Sequence, residues 1–312
     1  MDIPPPQGAR AGQSWRVVLT TQPSGTAHVI NLVGDKIGPG PLPVMSMPIV
    51  FGPGGGFSQK QEQIERIYRM IAPWDGGNLF MIIREQTSFD LDKKIWDSGI
   101  ALSSWILDLY AGSAAMSCPK ARATLFSPDK RNILELGAGT GIVALTIGTL
   151  RSTSEAQKDS GSIITTDLAS AMPLLEHNIS ANADLFAAPG SGSGAMYGCK
   201  PRAAVLDWEE DMPDDIRTLD GGIDAIVMAD VTYNTASFPA LIKTLDSLRQ
   251  LNVDQNILPP IVVLGYKERD PEERSLWVAA HEIGLELERV GERRGCGGQE
   301  VEVWLGGWAI LS

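Results

Sequence analysis

The sequence predicts an α/β fold: a mostly parallel sheet with helices on both faces, a C-terminal antiparallel hairpin, and a β-rich N-terminal extension. Three observations predict it. Beyond residue 90, short apolar runs alternate with amphipathic helical patterns, as in successive strand–helix units of a parallel sheet. The final segment has two β-rich runs around Gly295–Cys296–Gly297–Gly298, a hairpin pattern. The first 90 residues replace the alternation with Pro- and Gly-rich stretches and β-rich runs. The chain therefore divides into an extension, 1–90, and a main domain, 91–312.

Taken in order, residues 1–13 are Pro- and Gly-rich, and 14–33 read as two β-rich runs around the turn Pro23–Ser24–Gly25. Residues 38–57 include GPGPLP and FGPGGGF, which cannot form a helix interior. In 59–72, Ile64, Ile67, Tyr68 and Ile71 stand at helical spacing and predict a helix. Residues 78–89 read as a strand. Then follow a helix at 95–110, a strand at 132–139, a helix at 140–150, a strand at 162–168 and a helix at 170–183. Strands at 203–208 and 223–231, a helix at 238–251, a strand at 260–266 and a helix at 271–284 come next, before the hairpin of 285–292 and 300–310. Two inserts, 111–130 and 184–201, read as loops; the second carries Gly190–Ser191–Gly192–Ser193–Gly194.

At 312 residues and 43% hydrophobic, the chain can bury a sizeable core. Its formal net charge of −12 repels phosphate backbones and makes nucleic acid a poor partner. The same acidity suits a basic protein surface, and equally serves solubility alone. Cys118, Cys199 and Cys296 are scattered, without CxxC spacing, and His28, His177 and His281 form no ligand pattern. Neither a disulfide framework nor a metal site is expected. The N-terminus lacks a signal-peptide pattern and no apolar run reaches membrane-spanning length. A reducing cytoplasmic or nuclear compartment is expected, with no membrane partner.

The sharpest local feature is Glu135–Leu136–Gly137–Ala138–Gly139–Thr140–Gly141, which ends a strand and opens a helix. Glycines there let the backbone turn tightly and approach a ligand at the carboxyl end of the sheet. A dinucleotide fingerprint would place its third glycine at 142, where Ile142 stands; Gly141 is one residue early. A plain strand–helix connector also fits. Asp167, ending the second strand of the domain, is placed to accept hydrogen bonds from ribose hydroxyls, or to cap the following helix. Trp208, ending the third, could cover an adenine face or serve as a core aromatic.

Four segments resemble one family: Ile95–Trp96–Asp97–Ser98–Gly99, the ELGAGTG turn, Met228–Ala229–Asp230–Val231–Thr232–Tyr233, and Leu264–Gly265–Tyr266–Lys267–Glu268–Arg269. Together, over about residues 90–310, they resemble the family 16 protein-lysine methyltransferases. These are Rossmann-like, seven-strand enzymes that modify chaperones, AAA ATPases and elongation factors. The resemblance implies S-adenosyl-L-methionine as cofactor, contacted by Trp96, Gly137, Ala138, Gly139, Asp167, Trp208 and Ala229. It also implies a catalytic Asp-x-x-Tyr pair, Asp230 and Tyr233, with a protein lysine as acceptor. One departure is visible: Ser98 and Gly99 stand where members often have two alanines.

A lysine must be neutral to attack a methyl group, although its unperturbed pKa is about 10.4. Desolvation in an apolar channel favours the amine. Asp230 could orient the incoming nitrogen, and Tyr233 could wall the channel. Two other readings stay open: a methyltransferase acting on a small molecule, and a non-catalytic cofactor-binding scaffold. The NPPY-type tetrapeptide of amide or nucleobase methylation is absent after the fourth strand, where Asp230–Val231–Thr232–Tyr233 stands.

Overall fold

The computed structural model describes residues 7–8, 10, 12–21, 28–38, 40–50, 61–73, 75–88, 90–113, 118–152, 161–186 and 199–309. The turn at 23–25, the FGPGGGF stretch and the Gly/Ser run at 190–194 lie outside the described residues.

Before residue 90 the strands are β1 (Ser14–Trp15), β2 (Val18–Leu19), β3 (Val29–Asn31), β4 (Val44–Ser46), β5 (Ile49–Val50), β6 (Gln63–Ile71) and β7 (Asn78–Gln86). β1 pairs with β5, and the other five form a sheet centred on β6. The two β-rich runs of 14–33 do not pair with each other: β2 lies antiparallel to β4, and β3 parallel to β6.

The helix expected over 59–72 is instead the strand β6, paired antiparallel with β7 from Gln63↔Gln86 to Ile71↔Asn78. The apolar residues at helical spacing fall on both faces of this strand. β-branched and aromatic Ile64, Ile67, Tyr68 and Ile71 suit a pleated, half-buried surface. The charges between them are paired: Glu65 with Arg16 and with Arg84 at 2.9 Å, and Arg66 with Glu85 at 2.5 Å. Long-range strand pairing has overridden local periodicity.

After residue 90 the elements are α1 (Asp97–Ala111), α2 (Pro119–Phe126), β8 (Ile133–Leu136), α3 (Ile142–Arg151), β9 (Ile163–Asp167), α4 (Met172–Ala181), β10 (Arg202–Val205), α5 (Asp214–Arg217), β11 (Ala225–Ala229), α6 (Phe238–Asp254), β12 (Ile261–Tyr266), α7 (Ser275–Glu282), β13 (Leu285–Arg294) and β14 (Glu300–Trp308). Insert 111–130, read as a loop, thus contains α2. The sheet order is β10-β9-β8-β11-β12-β14-β13, with β8 through β12 parallel and β14 antiparallel to both β12 and β13.

Alternation along the central strands sorts their side chains to two cores. Ile133, Val227, Val263 and Val303 face α1 and α3, in a cluster that continues into Tyr68, Met70, Met81 and Ile83 of the N-terminal sheet. Leu134, Ile226, Val262 and Leu264 face α6 and α7. Close packing fixes small residues. A Cβ on Gly99 would stand 3.2 Å from Ile142 Cγ2, so the departure from alanine follows from how tightly α1 lies on α3. Gly291, at a bulge in β13, leaves room for the Trp105 ring.

The two sheets are joined by a side-chain ladder. Asn178 on α4 and Asn182 just past its end, one turn apart, each accept from and donate to the β7 backbone, at Arg84 and Ile82 respectively. Their amides pair the exposed edge of β7 as a neighbouring strand would. Asn178 also donates to the Thr140 carbonyl in the glycine turn, 3.0 Å away. The N-terminal sheet is thereby tied to the loop after β8.

Candidate functional site

β8, β9 and β11 end side by side at the carboxyl edge of the sheet, where ligands bind in open α/β folds. A cleft of about 240 Å³ opens there. All nine predicted site residues line it: Trp96, Gly137, Ala138, Gly139, Asp167, Trp208, Ala229, Asp230 and Tyr233. Residues up to 137 positions apart in sequence, from Trp96 to Tyr233, meet in one cavity.

The floor is the glycine turn. Gly137, Gly139 and Gly141 have φ of 64°, 55° and 82°, conformations that other L residues rarely adopt. A Cβ on Gly137 would lie 2.8 Å from Val231 Cγ1 and 3.5 Å from the Trp208 ring. The turn is held by the Ala138 N–H donating to the Thr166 carbonyl at 2.9 Å. Asp167 braces it from the side: its carboxylate accepts from Gly139 N at 2.6 Å and from Leu168 N at 2.7 Å. Burial pushes the Asp167 carboxyl upward in pKa, and these two N–H groups act against that push. Each oxygen keeps a lone pair directed elsewhere, available to hydroxyl donors.

Beneath the turn, the fully buried Glu135 carboxyl accepts from Thr165 Oγ1 at 2.5 Å. Burial raises its pKa to about 8, against the hydrogen bonds from Thr165 and the Ala144 N–H. It is therefore protonated in the folded protein at neutral pH, whereas it ionises near 4.5 when unfolded. Between these values the folded state binds the extra proton, so stability from this group falls as pH rises from about 4.5 to about 8. The slope is at most about 1.4 kcal/mol per pH unit. In Glu135→Gln, thermal melts across that range are expected to lose part of their downward slope; a slope identical to wild type would contradict the assignment.

The rim joins aromatic and charged groups. Trp96, at the start of α1, donates from Nε1 to the Leu91 carbonyl at 3.1 Å, which holds the segment 91–96 over the glycine turn. Tyr233 is half exposed. Burial first, and then the negative charges of Asp167, Asp92 and Asp230, raise its pKa, so it remains a phenol. Asp230 follows β11 with φ of 62°, a strained value shared among the described residues outside glycine only with Asn256. Its side chain is almost completely buried, and Arg269 grips it: Nη1 reaches Oδ1, and Nη2 reaches Oδ2 at 2.7 Å. Asp230 therefore does not stand as an isolated anion awaiting an ammonium.

Sequence reasoning missed several rim residues. Leu91, Asp92 and Lys94 carry no motif and reach the cleft because hydrogen bonds hold their segment: Trp96 to the Leu91 carbonyl, Ser170 to Asp92, and Lys94 to the Gln86 carbonyl. Asp207 and Glu209 flank Trp208 in the cleft, although sequence reasoning assigned a role to Trp208 alone. Arg269 stood in the fourth matching segment, where only its identity, and no role, was legible. Among the described residues no group of three or more His, Cys, Asp or Glu side chains is placed to hold a metal ion, and no helix is long and apolar enough to cross a membrane.

This strand order, with its antiparallel β14 beside β12 and a glycine turn after β8, defines a Rossmann-like, seven-strand methyltransferase domain. A family model described as lysine methyltransferase matches residues 77–280, and the chain belongs to that family. S-adenosyl-L-methionine is the family's cofactor. Among curated relatives, the protein-lysine N-methyltransferase EFM6 of Saccharomyces cerevisiae is 27% identical over 181 residues, 56% of this chain and 63% of that protein. A UPF0665 family protein of Schizosaccharomyces pombe is 28% identical over 228 residues, 70% of this chain and 56% of that protein. The chain thus spans roughly three fifths of the length of these relatives. The magnesium protoporphyrin IX methyltransferase of Synechocystis, solved with bound cofactor, overlaps 72% of this chain and 86% of its own at a TM-score of 0.40 and 9% identity.

Proposed function

We propose that this chain is an S-adenosylmethionine-dependent protein-lysine N-methyltransferase whose reaction takes place in the cleft at the carboxyl edge of the sheet. The observation that carries this reading is the meeting there of a left-handed glycine turn, a buried acid beside it and the strained Asp230 with Tyr233. The cleft fits the cofactor. Glycines 137 and 139 leave backbone bare where side chains would intrude, and Asp167 offers acceptors for ribose hydroxyls. Trp208 offers an aromatic face beside Gly137, and Ala229 a small floor. When bound, the cofactor supplies a methyl group on a sulfonium, open to in-line attack.

The remaining task is to align a nucleophile and keep it unprotonated. Trp96, Leu91 and Tyr233 give the rim apolar surface that excludes water from a lysine stem. Excluding water favours the free amine. Asp230 presents fixed acceptor oxygens, and Tyr233 a phenol that can accept or donate. The acceptor proteins expected from the resemblance are chaperones, AAA ATPases or elongation factors, met in a reducing cytoplasmic or nuclear compartment. The chain's negative charge favours a basic surface around the target lysine.

The test is transfer of labelled methyl groups from the cofactor by the purified chain into a cell lysate. The expected result is label in one or a few protein bands, mapped by mass spectrometry to lysine. Label confined to small molecules, or no transfer, would contradict the reading.

A further inference from the structure

Arg269 lies in the loop after β12 and makes more polar contacts at the cleft than any catalytic proposal for Asp230 alone would require. Its two terminal nitrogens take both Asp230 oxygens, and Nη1 also donates to the Lys267 carbonyl at 3.3 Å. Its guanidinium carbon lies 5.4 Å from the centre of the Trp96 ring. Its backbone N–H donates to the buried Glu273 carboxyl at 3.4 Å. A bidentate guanidinium–carboxylate pair fixes orientation as well as charge. The Asp230–Arg269 unit is thus electrically neutral on the rim where an acceptor nitrogen arrives.

We propose that Arg269 is a positioning residue for the methyl-transfer step: it cancels the charge of Asp230 and fixes its oxygens, so that the acceptor lysine enters as the free amine. This rests on the lysine-methylation reading above. An unpaired carboxylate would stabilise the ammonium form, which has no lone pair to attack with. A neutralised carboxylate withdraws that stabilisation. Its oxygens still have lone pairs to accept an amine N–H, which aims the nitrogen's own lone pair toward the cofactor.

The other charged groups around the site do not replace Arg269. Asp97, at the start of α1, is paired with Lys267 at 2.6 Å. Asp167, at the end of β9, is held by two backbone N–H groups. Asp92 and Lys94 stand on the segment before α1, and Asp92 accepts from Ser170 at 2.8 Å. Asp207 and Glu209 follow β10, Glu135 is buried beneath the turn, Tyr233 follows β11, and Glu273 precedes α7. Among these the carboxylates outnumber the cations, so losing Arg269 leaves the rim strongly anionic. Arg269 itself stays charged: burial works against its charge, but Asp230, Glu273 and Asp97 override this and hold its pKa above the ordinary value. Glu135, which titrates at about 8 beneath the turn, is present in wild type and in every variant, so a difference in the acid limb between them reports the lysine rather than the arginine.

The experiment compares wild type, Arg269→Gln, Arg269→Lys and Asp230→Asn on the protein labelled in the lysate, across pH 6.5–10. Affinities for S-adenosylmethionine and its uncharged demethylated product are measured by calorimetry alongside. In Arg269→Gln the acid limb is expected to rise by about one pH unit or more, with activity recovering at high pH. Its preference for the sulfonium over the uncharged product is expected to grow about fivefold. Arg269→Lys keeps the cation and should keep the wild-type limb, at lower maximal rate. Asp230→Asn strands the guanidinium and should move both the limb and the preference the opposite way, which keeps the proposal testable if Arg269→Gln fails to fold. A rate loss uniform in pH, with the cofactor preference unchanged, would reduce Arg269 to a structural tether and overturn the proposal. If wild type itself transfers no methyl group to lysine, the lysine-methylation reading and the proposal fall together.

Discussion

Asp230→Ala is expected to lower methyl transfer by about 10²–10³-fold, the range for a group that positions or stabilises reacting atoms, with little change in affinity for the uncharged demethylated product. Asp230 sits outside the glycine turn, at the end of β11, and its backbone N–H is tied to the Gly265 carbonyl at 3.2 Å. Its loss leaves the turn and Asp167 in place. Two secondary effects come with alanine. At φ of 62° alanine is less readily accommodated than Asp, and costs about 1 kcal/mol more. The guanidinium of Arg269 loses its partner, but its side chain is 30% exposed, so the cost falls well below the ~3–5 kcal/mol of a fully buried charge. Asparagine tolerates the left-handed region and removes only the charge. Single-turnover rates for Asp230→Ala and Asp230→Asn should therefore both fall, while melting temperature falls mainly in the alanine variant. Wild-type turnover in either would remove Asp230 from the reaction.

Asp167→Ala is expected to weaken cofactor binding on the order of 10–100-fold, because hydrogen bonds to a charged group are worth about 1.5–3 kcal/mol each. The residue does two things at once. Its carboxylate holds Gly139 and Leu168 by their N–H groups, and its remaining lone pairs face the cleft. Alanine frees the turn and removes the ribose acceptor together. Asp167→Asn retains one acceptor oxygen but turns an amide toward the other N–H, and should fall between the two. Titration calorimetry reads the difference; equal affinity in all three proteins would exclude Asp167 from the cofactor site.

Much of this was legible in the chain. Strands β8, β9, β11 and β12 are short runs of mostly apolar or β-branched residues flanked by turn residues, and parallel sheets favour that pattern because both faces are buried. The glycine turn was legible because left-handed backbone leaves few alternatives to glycine. β6 was not legible. Its four apolar residues at helical spacing acquire strand geometry through pairing with β3, β4 and nine positions of β7, and the buried Glu65 and Glu85 find their arginines, Arg16, Arg84 and Arg66, only once those strands meet. α2 was missed because Pro119–Phe126 has little amphipathic pattern and buries only Ala121 and Leu125.

The site followed the same division. Residues at strand ends could be placed from their motifs, since topology brings strand ends together. The Arg269 clamp on Asp230 joins residues 39 positions apart, and no local spacing encodes it. The same holds for the Asn178 and Asn182 ladder, which joins α4 to a strand nearly 100 positions earlier.

The most direct measurement is calorimetric titration of S-adenosylmethionine into the purified chain, with Gly137→Val as the companion variant. Saturable one-to-one binding by wild type, abolished when a branched side chain is forced against Val231 and Trp208, is the expected outcome. No binding by wild type, or equal binding by both proteins, would contradict a cofactor site built on this turn.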